Sequence, residues 1–413
     1  MAVVNNTHRP RESKRTANRN RILNLLFREP RLSRLHLARR LNINASTVGN
    51  YIDDFLSQGI LLEHHTGATR RGRSPVPVWL NPSYGHFLGI DLEALRVRTA
   101  LVNFAGEVVA QREQPLRASL GPGAVLEIMA RLASETAAIG GESPLLAVGL
   151  AAPGRLDFRG GRIAHYDLRP GFHDVPLVES LRPQFDCGIY MEENLRALTL
   201  AEHLRGAGQG HRNFLCLVSR SGVGMGIVID GKIYTGHHAL AGKLGQCTFP
   251  TDDGARTMTE LVSATGIVRR AIVTLREAEP TSLRQTLLAK GDDLALADLV
   301  AAESDRIVDR LLERAGTEMG ILAANLANIF APEKIVLAGE VPTCSLRLRR
   351  AMEEAFARYT VPEILRGLVL ADGHFSAFAG ALGAAYLGFL RTFPEEELPT
   401  IDARHAALPA RGA

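Results

Sequence analysis

The 413-residue chain is 46% hydrophobic and 22% charged, enough apolar material for two or three folded cores, which excludes an unfolded or fibrous chain. Four widely spaced cysteines (Cys187, Cys216, Cys247, Cys344) with no C-x-x-C pair exclude a disulfide framework and a thiolate zinc site, and fit a reducing, cytoplasmic setting. The net charge of +4 is unevenly spread: residues 1–80 hold 14 Lys and Arg against 5 Asp and Glu, and the rest 34 against 39, so a nucleic-acid-binding front end on an acidic body is expected.

The first stretch is basic and polar without an apolar core, so no secretory signal is expected, and residues 1 to about 15 read as a mobile tail. "NRNRILNLLFREP" then places Ile22, Leu23, Leu25, Leu26 and Phe27 on one side of a helix ended by Pro30. "SRLHLARRLN" predicts a short second helix with Ser33 as N-cap, and "INASTVGNYIDDFLSQGI" a third with Val48, Ile52, Phe55 and Leu56 on its apolar face. A turn after Leu41 makes the pair a helix-turn-helix. The following "ILLEHHTGATRRGRSPVPVWLNP" reads as two strands around a Gly- and Arg-rich turn, a hairpin wing.

In that arrangement the start of the third helix enters the major groove, so Asn44, Ser46, Thr47 and Asn50 are candidate contacts to phosphates or base edges. Asn50 is the leading candidate for base readout, because an amide can bond adenine on two atoms. Gly49 lowers helix propensity but lets backbone approach DNA, and Arg70, Arg71 and Arg73 at the wing tip suit phosphate or minor-groove contact.

Beyond Pro82, "HFLGIDLEALRVRTALVNFAGEVVAQRE" predicts three strands with a tight turn at Ala105-Gly106. "NFLCLVSRSGVGMGIVIDGKIYTG" repeats that order with its turn at Asp230-Gly231, so two related α/β lobes are expected. Helices are predicted in "GAVLEIMARLASETAA" and "RIVDRLLERAGTEMGILAANLANIF", and a buried strand in "KIVLAG". "FSAFAGALGAAYLGFL" is shorter than the ~20 residues of a membrane span and rich in Gly and Ala, which predicts a closely packed helix. "MEENLRALTLAEHL", Met191 to Leu204, marks a strand-to-helix junction crowded with carboxylates, the kind of place where open α/β sheets bind ligands.

Taken in order, "RGRSPVPVWLNP", "AAPGRLD" (Ala151 to Asp157), "GFHDVPL" (Gly171 to Leu177) and "AGKLGQ" (Ala241 to Gln246) resemble the ROK family of repressors and sugar kinases, whose effector domain has the two-lobed actin-like kinase fold. The resemblance runs from about Asn18 to Leu390. It implies an N-terminal winged helix-turn-helix (1–82), a first lobe (83–205), a second lobe (206–393) whose last helix packs back on the first, and a mobile tail (394–413).

Carried over residue by residue, the resemblance implies a disabled kinase. The family's first phosphate loop, Asp-x-Gly-Gly-Thr, brings backbone amides to a nucleotide phosphate. Here Asp91 remains while Glu93 and Ala94 replace the glycines and Leu95 the threonine, and a carboxylate there repels phosphate. The second loop survives as "RSGVGMG" with Ser221 for threonine, its Gly222, Gly224 and Gly226 suiting either phosphate or tight turns. The later Gly-Gly has become Gly339-Glu340. In the family's Glu-Asn-Asp the Asp is the general base; aligned on Glu192, Glu193 replaces the Asn and Asn194 the Asp, and an amide cannot take the proton.

Lys243 and Gln246 stand where the family has a sugar-binding Glu and a zinc-ligating His, and "PTDDGARTMTELVS" replaces its cysteine loop, so no metal and no cofactor are expected. His165, His173, His237 and His238 read as surface or packing residues. Glu193, Asn194, Arg196, Lys243 and Gln246 are the candidate effector-binding residues. Arg196 and Lys243 suggest an anionic sugar derivative, the alternative being that Glu193 pairs internally with one of them. The expectation is thus a cytoplasmic, non-enzymatic, sequence-specific repressor of operator DNA, with a sugar or sugar-derivative effector, acting as a homodimer or tetramer away from membranes. A sugar kinase with a DNA-binding arm and a ligand-independent scaffold are the alternatives.

Overall fold

The computed structural model describes residues 9–63, 76–251, 254–375 and 377–395, which form two compact units, one of residues up to 197 and from 380 onward, the other of residues 198–379. The first unit begins with three helices, α1 (Arg9–Arg28), α2 (Arg34–Leu41) and α3 (Ala45–Ser57), whose apolar sides share Ile22, Leu26, Phe27, Leu37, Val48, Ile52 and Phe55, all buried. Ser33 caps α2 by accepting the His36 N–H, and Asn42 ends it in the left-handed conformation that turns the chain toward α3. Arg9 to Arg15, expected in a mobile tail, form the first turns of α1 instead, continuous with its packed half.

The wing strands β2 (Leu61–Glu63) and β3 (Pro77–Leu80) are present, and β3 also pairs with the two-residue β1 (Leu32–Ser33), completing a three-stranded sheet that the sequence did not suggest. Two residues carry no periodicity, so only the long-range pairing Leu32↔Val78 reveals that strand.

The α/β part of this unit is a five-stranded sheet in the order β11-β7-β4-β5-β6. Its members are β4 (His86–Leu92), β5 (Arg96–Asn103), β6 (Val108–Pro115), β7 (Leu145–Ala152) and β11 (Gly188–Glu193). The first three form the expected meander, turning through Gly106 at φ +78°. β7 and β11 then add in parallel through crossovers, the first containing α4 (Pro122–Ala137) and the second a small sheet of β8 (Arg155–Asp157), β9 (Arg162–His165) and β10 (His173–Val175) followed by α5 (Leu177–Leu181).

The second unit repeats the plan. Strands β12 (Phe214–Ser219), β13 (Val223–Ile229) and β14 (Lys232–Ile233) make the meander, with Asp230 and Gly231 both at positive φ in its turn, and β17 (Lys334–Ala338) and β18 (Val369–Asp372) add in parallel. In chain order both sheets read 3-2-1-4-5, which is the repeat legible in the sequence. Its helices are α7 (Met258–Val262), α8 (Ala264–Glu277), α9 (Ser282–Ala289), α10 (Leu296–Ala301), α11 (Arg306–Phe330), α12 (Leu346–Tyr359) and α13 (Pro362–Leu365), and a short hairpin, β15 (Thr248–Thr251) with β16 (Gly254–Thr257), precedes them.

The units exchange within α6 (Asn194–Arg205), between Ala197 and Leu198, ahead of the boundary expected after Arg205. Side-chain packing explains the early exchange: Ala197 is buried against Ala151 and Ala384 of the first unit, whereas Thr199 fills the space over Gly226 of the second.

The last helix, α14 (Ala379–Thr392), belongs from Gly380 onward to the first unit, where it lies across β4 and β7. A Cβ on Gly149 would stand 1.7 Å from the Ala384 carbonyl oxygen, and one on Gly383 would stand 1.6 Å from that of Ala197, so backbone meets backbone on both sides of the helix. Its far end holds α1: Phe27 stacks on Phe389 at 4.1 Å and meets Tyr386 edge-on at 5.3 Å, while Asn24 Nδ2 donates to Phe393 O (2.7 Å) and Asn20 Nδ2 to Pro394 O (2.8 Å). Pro394, expected to begin a mobile tail, is therefore fixed by α1; the remainder of that expected tail, 396–413, lies outside the described residues.

Asn24 is fully buried, and its removal would leave the Phe393 carbonyl without that donor. Asn24→Ala should therefore cost about 1–3 kcal/mol, read as a lower urea midpoint with tryptophan fluorescence of Trp79, the only tryptophan, reporting the head.

Candidate DNA-binding surface and a filled kinase-like site

On α3 the burial of Val48, Ile52 and Phe55 turns the opposite face outward, leaving Asn44, Ser46 and Asn50 exposed and Thr47 half-buried. Asn44 is also the N-cap: its Oδ1 accepts from Ser46 N (2.9 Å) and Ser46 Oγ (2.8 Å), so two expected DNA-contact residues build the helix start that would enter the groove. Arg19 of α1 pairs with Asp54 and lies over the Phe55 ring at 4.4 Å, fixing α3 and holding the Asp54 carboxyl below its ordinary pKa. Arg70, Arg71 and Arg73 lie outside the described residues.

The kinase-like elements of the first unit sit at the ends of β4 and β11. Asp91 is fully buried beside Gly380, close enough that a Cβ there would stand 2.0 Å from Asp91 Oδ2. The next residues do not form an open phosphate loop. Glu93 N donates to Arg96 O (2.9 Å), closing a tight β4–β5 turn, and the Glu93 carboxylate meets the buried guanidinium of Arg98 at 2.5 Å. Arg98 also binds Glu113 of β6. A second arginine, Arg169, nearly buried, donates to the carbonyls of Ala94, Leu120 (2.8 Å) and Arg117 (3.0 Å). Tyr166 lies beneath, its hydroxyl pushed well above the usual phenol range by burial and by the Glu93 and Asp91 charges. At the turn that in a kinase offers amides to phosphate, the Glu93 amide is bonded to Arg96 O and the Ala94 carbonyl to Arg169.

At the β11–α6 junction, Arg196 is 2% exposed, and its Nε (2.8 Å) and Nη2 (2.5 Å) both donate to Glu192 Oε1. Glu193, also buried, accepts the Arg196 main-chain N–H (3.2 Å) and so caps the first turn of α6; Asn194 is half-buried at its start. The guanidinium expected to attract an anion thus pairs with Glu192, four residues before it.

In the second unit Lys243 precedes a 3-10 turn and Gln246 ends it, Lys243 half-buried and Gln246 exposed. The zinc-loop position is taken by the β15–β16 hairpin, which runs into α7 through a capping box of Thr257 and Glu260. Gly226 of the second phosphate loop is required by packing, since a Cβ there would stand 1.8 Å from Thr199 Oγ1. Ser219 Oγ and Thr265 Oγ1 tie the same loop to its neighbours, donating to Val262 O and Ser221 O at 2.6 Å each. Among the described residues no group of three or more His, Cys, Asp or Glu is placed to hold a metal ion, and no helix is long and apolar enough to cross a membrane.

Comparison with known proteins agrees with this architecture. A family model described as "ROK family" matches residues 87–389. The chain belongs to the ROK family. A second model, "Winged helix-turn-helix DNA-binding", matches residues 15–61 of this ROK chain. The chain is 28% identical to a glucokinase of Halalkalibacterium halodurans over 73% of its own length and 94% of the relative's. It is 27% identical to a putative xylose repressor of Caldicellulosiruptor over 77% and 82%. The fold is that of a solved ROK family transcriptional regulator, a homolog of the E. coli MLC protein, with a TM-score of 0.74 and 20% identity over 92% of this chain and 97% of that one. The ROK body with its winged head is a DNA-binding transcriptional regulator; its relatives include kinases as well as repressors.

Proposed function

We propose that this ROK protein is a cytoplasmic repressor whose kinase-like body is catalytically silent, binds a neutral sugar, and joins two copies on a two-fold-symmetric operator. The observation that carries the silent body is the closed β4–β5 turn, where Glu93 and Arg98 pair and Arg169 holds Ala94, Arg117 and Leu120 in place of an open phosphate loop. A neutral effector is favoured by the pairing of Arg196 with Glu192, which removes one of the two cations that would draw an anion. A sugar is favoured by the names of the relatives, a xylose repressor and a glucokinase. Asn44, Ser46, Thr47, Asn50 and the wing arginines Arg70, Arg71 and Arg73 contact DNA in this reading, while Glu193 and Asn194 at the β11–α6 junction contact the sugar.

Calorimetry with neutral pentoses and hexoses, sugar phosphates and sugar acids tests the sensor. Heat with a neutral sugar, and an operator affinity at least about tenfold weaker when it is present, is expected. Binding confined to phosphates or acids would overturn the neutral-effector reading, and silence across all three classes would overturn the sensor.

A further inference from the structure

The recognition helix carries an acid where a polyanion must approach. At about 100° per residue, Ser46, Asn50 and Asp53 point within about 60° of one another, opposite the buried Val48, Ile52 and Phe55. The Asp53 side chain is 64% exposed. A carboxylate on this face repels every phosphate it nears, so general affinity for DNA does not explain it.

Its surroundings hold it in place. Arg34, the first residue of α2, reaches Asp53 Oδ1 with Nη1 at 2.7 Å and the Glu63 carboxylate at the base of the wing at 3.4 Å, so one guanidinium spans the recognition helix and the wing. The Arg34 charge offsets part of the repulsion. A carboxylate has about four acceptor positions, and one ion pair leaves several to face the groove. Adenine and cytosine both offer an amino donor in the major groove, but adenine sets the acceptor N7 beside it, whereas cytosine presents N4 alone. An ionised carboxylate, which only accepts, is therefore matched best by cytosine.

We propose that Asp53 is a specificity-determining residue that accepts a hydrogen bond from the N4 amino group of one cytosine in each operator half-site, with Arg34 as its positioning residue. The proposal rests on the DNA-binding reading and adds a base and a position to it. The test is binding-site selection from random duplex DNA with the full-length chain, run in parallel with Asp53→Asn and Arg34→Ala.

For the unaltered chain, cytosine should dominate one fixed position of each half-site. With Asp53→Asn, which is nearly isosteric and exposed, the preference at that position alone should fall about tenfold or more while the others hold, and Arg34→Ala should blur the same position. A fold-only role would not move a single-base preference. Selections that match the unaltered chain at every position, or that weaken uniformly at all of them, would overturn the proposal while leaving DNA recognition standing. Recovery of no motif by the unaltered chain would overturn both.

Discussion

Gly149→Ala is expected to be among the most damaging single-methyl changes in the first unit. The added carbon would lie 1.7 Å from the Ala384 carbonyl oxygen, a backbone atom of α14 that cannot rotate aside. Relief requires α14 to lift off the sheet, and the helix is also pressed on its other side, where Gly383 meets the Ala197 carbonyl. Ordinary overpacking costs about 1–3 kcal/mol, sometimes more, and a backbone clash on two sides belongs at the upper end, about 3 kcal/mol or above. The chain should lose solubility or show a urea midpoint well below that of the unaltered protein. Gly123→Ala is the control, because a Cβ at that exposed helical position meets nothing within 4 Å and alanine there should be neutral or stabilising by up to about 1 kcal/mol. Equal midpoints for the two variants would contradict the seating of α14.

The second large effect is an absence that survives repair. Neither the unaltered chain nor Asn194→Asp is expected to form ADP from ATP with neutral hexoses or pentoses. A restored carboxylate returns only the general-base contribution, about 10²- to 10⁴-fold. The phosphate turn would still carry the Glu93 carboxylate where a kinase has glycine, and a carboxylate there repels a nucleotide phosphate. A coupled ADP assay is the measurement. Sugar-dependent turnover near the common enzyme range of about 1–10³ s⁻¹ by either protein would contradict a silent body.

How much of this was legible in the sequence follows from how local each signal is. The Ser33 cap, the Asn42 turn and the buried stripe of α3 depend on neighbours within a few residues, and all were readable. So was the doubled meander, because the turns at Gly106 and Asp230-Gly231 require positive φ. The Glu93 substitution announced a damaged phosphate loop, but not what fills it: Arg169 is 75 residues from Ala94, and no spacing rule links a donor to a carbonyl so remote. The same holds for Asn20 and Asn24, whose partners Pro394 and Phe393 lie 374 and 369 residues away. Glu192 and Arg196 are different, since a four-residue spacing across a helix start was there to be read.

Long-range pairings also set how the parts cooperate. Within the first unit, α14 lies beside Asp91 through Gly380 and holds α1 through Phe389 and the following Phe393, so the helix next to Asp91 also anchors the DNA-binding head. A regulator needs such a shared element, because a ligand can shift DNA affinity only through contacts that differ between two states.

Capture of sheared genomic DNA from the source organism by the purified full-length chain, followed by sequencing of the retained fragments, tests the central claim most directly. A sequence-specific regulator predicts a small set of strongly enriched sites sharing an inverted repeat, lost when Asn50→Ala replaces the unaltered chain. Uniform retention across the genome, or retention indifferent to Asn50, would contradict it.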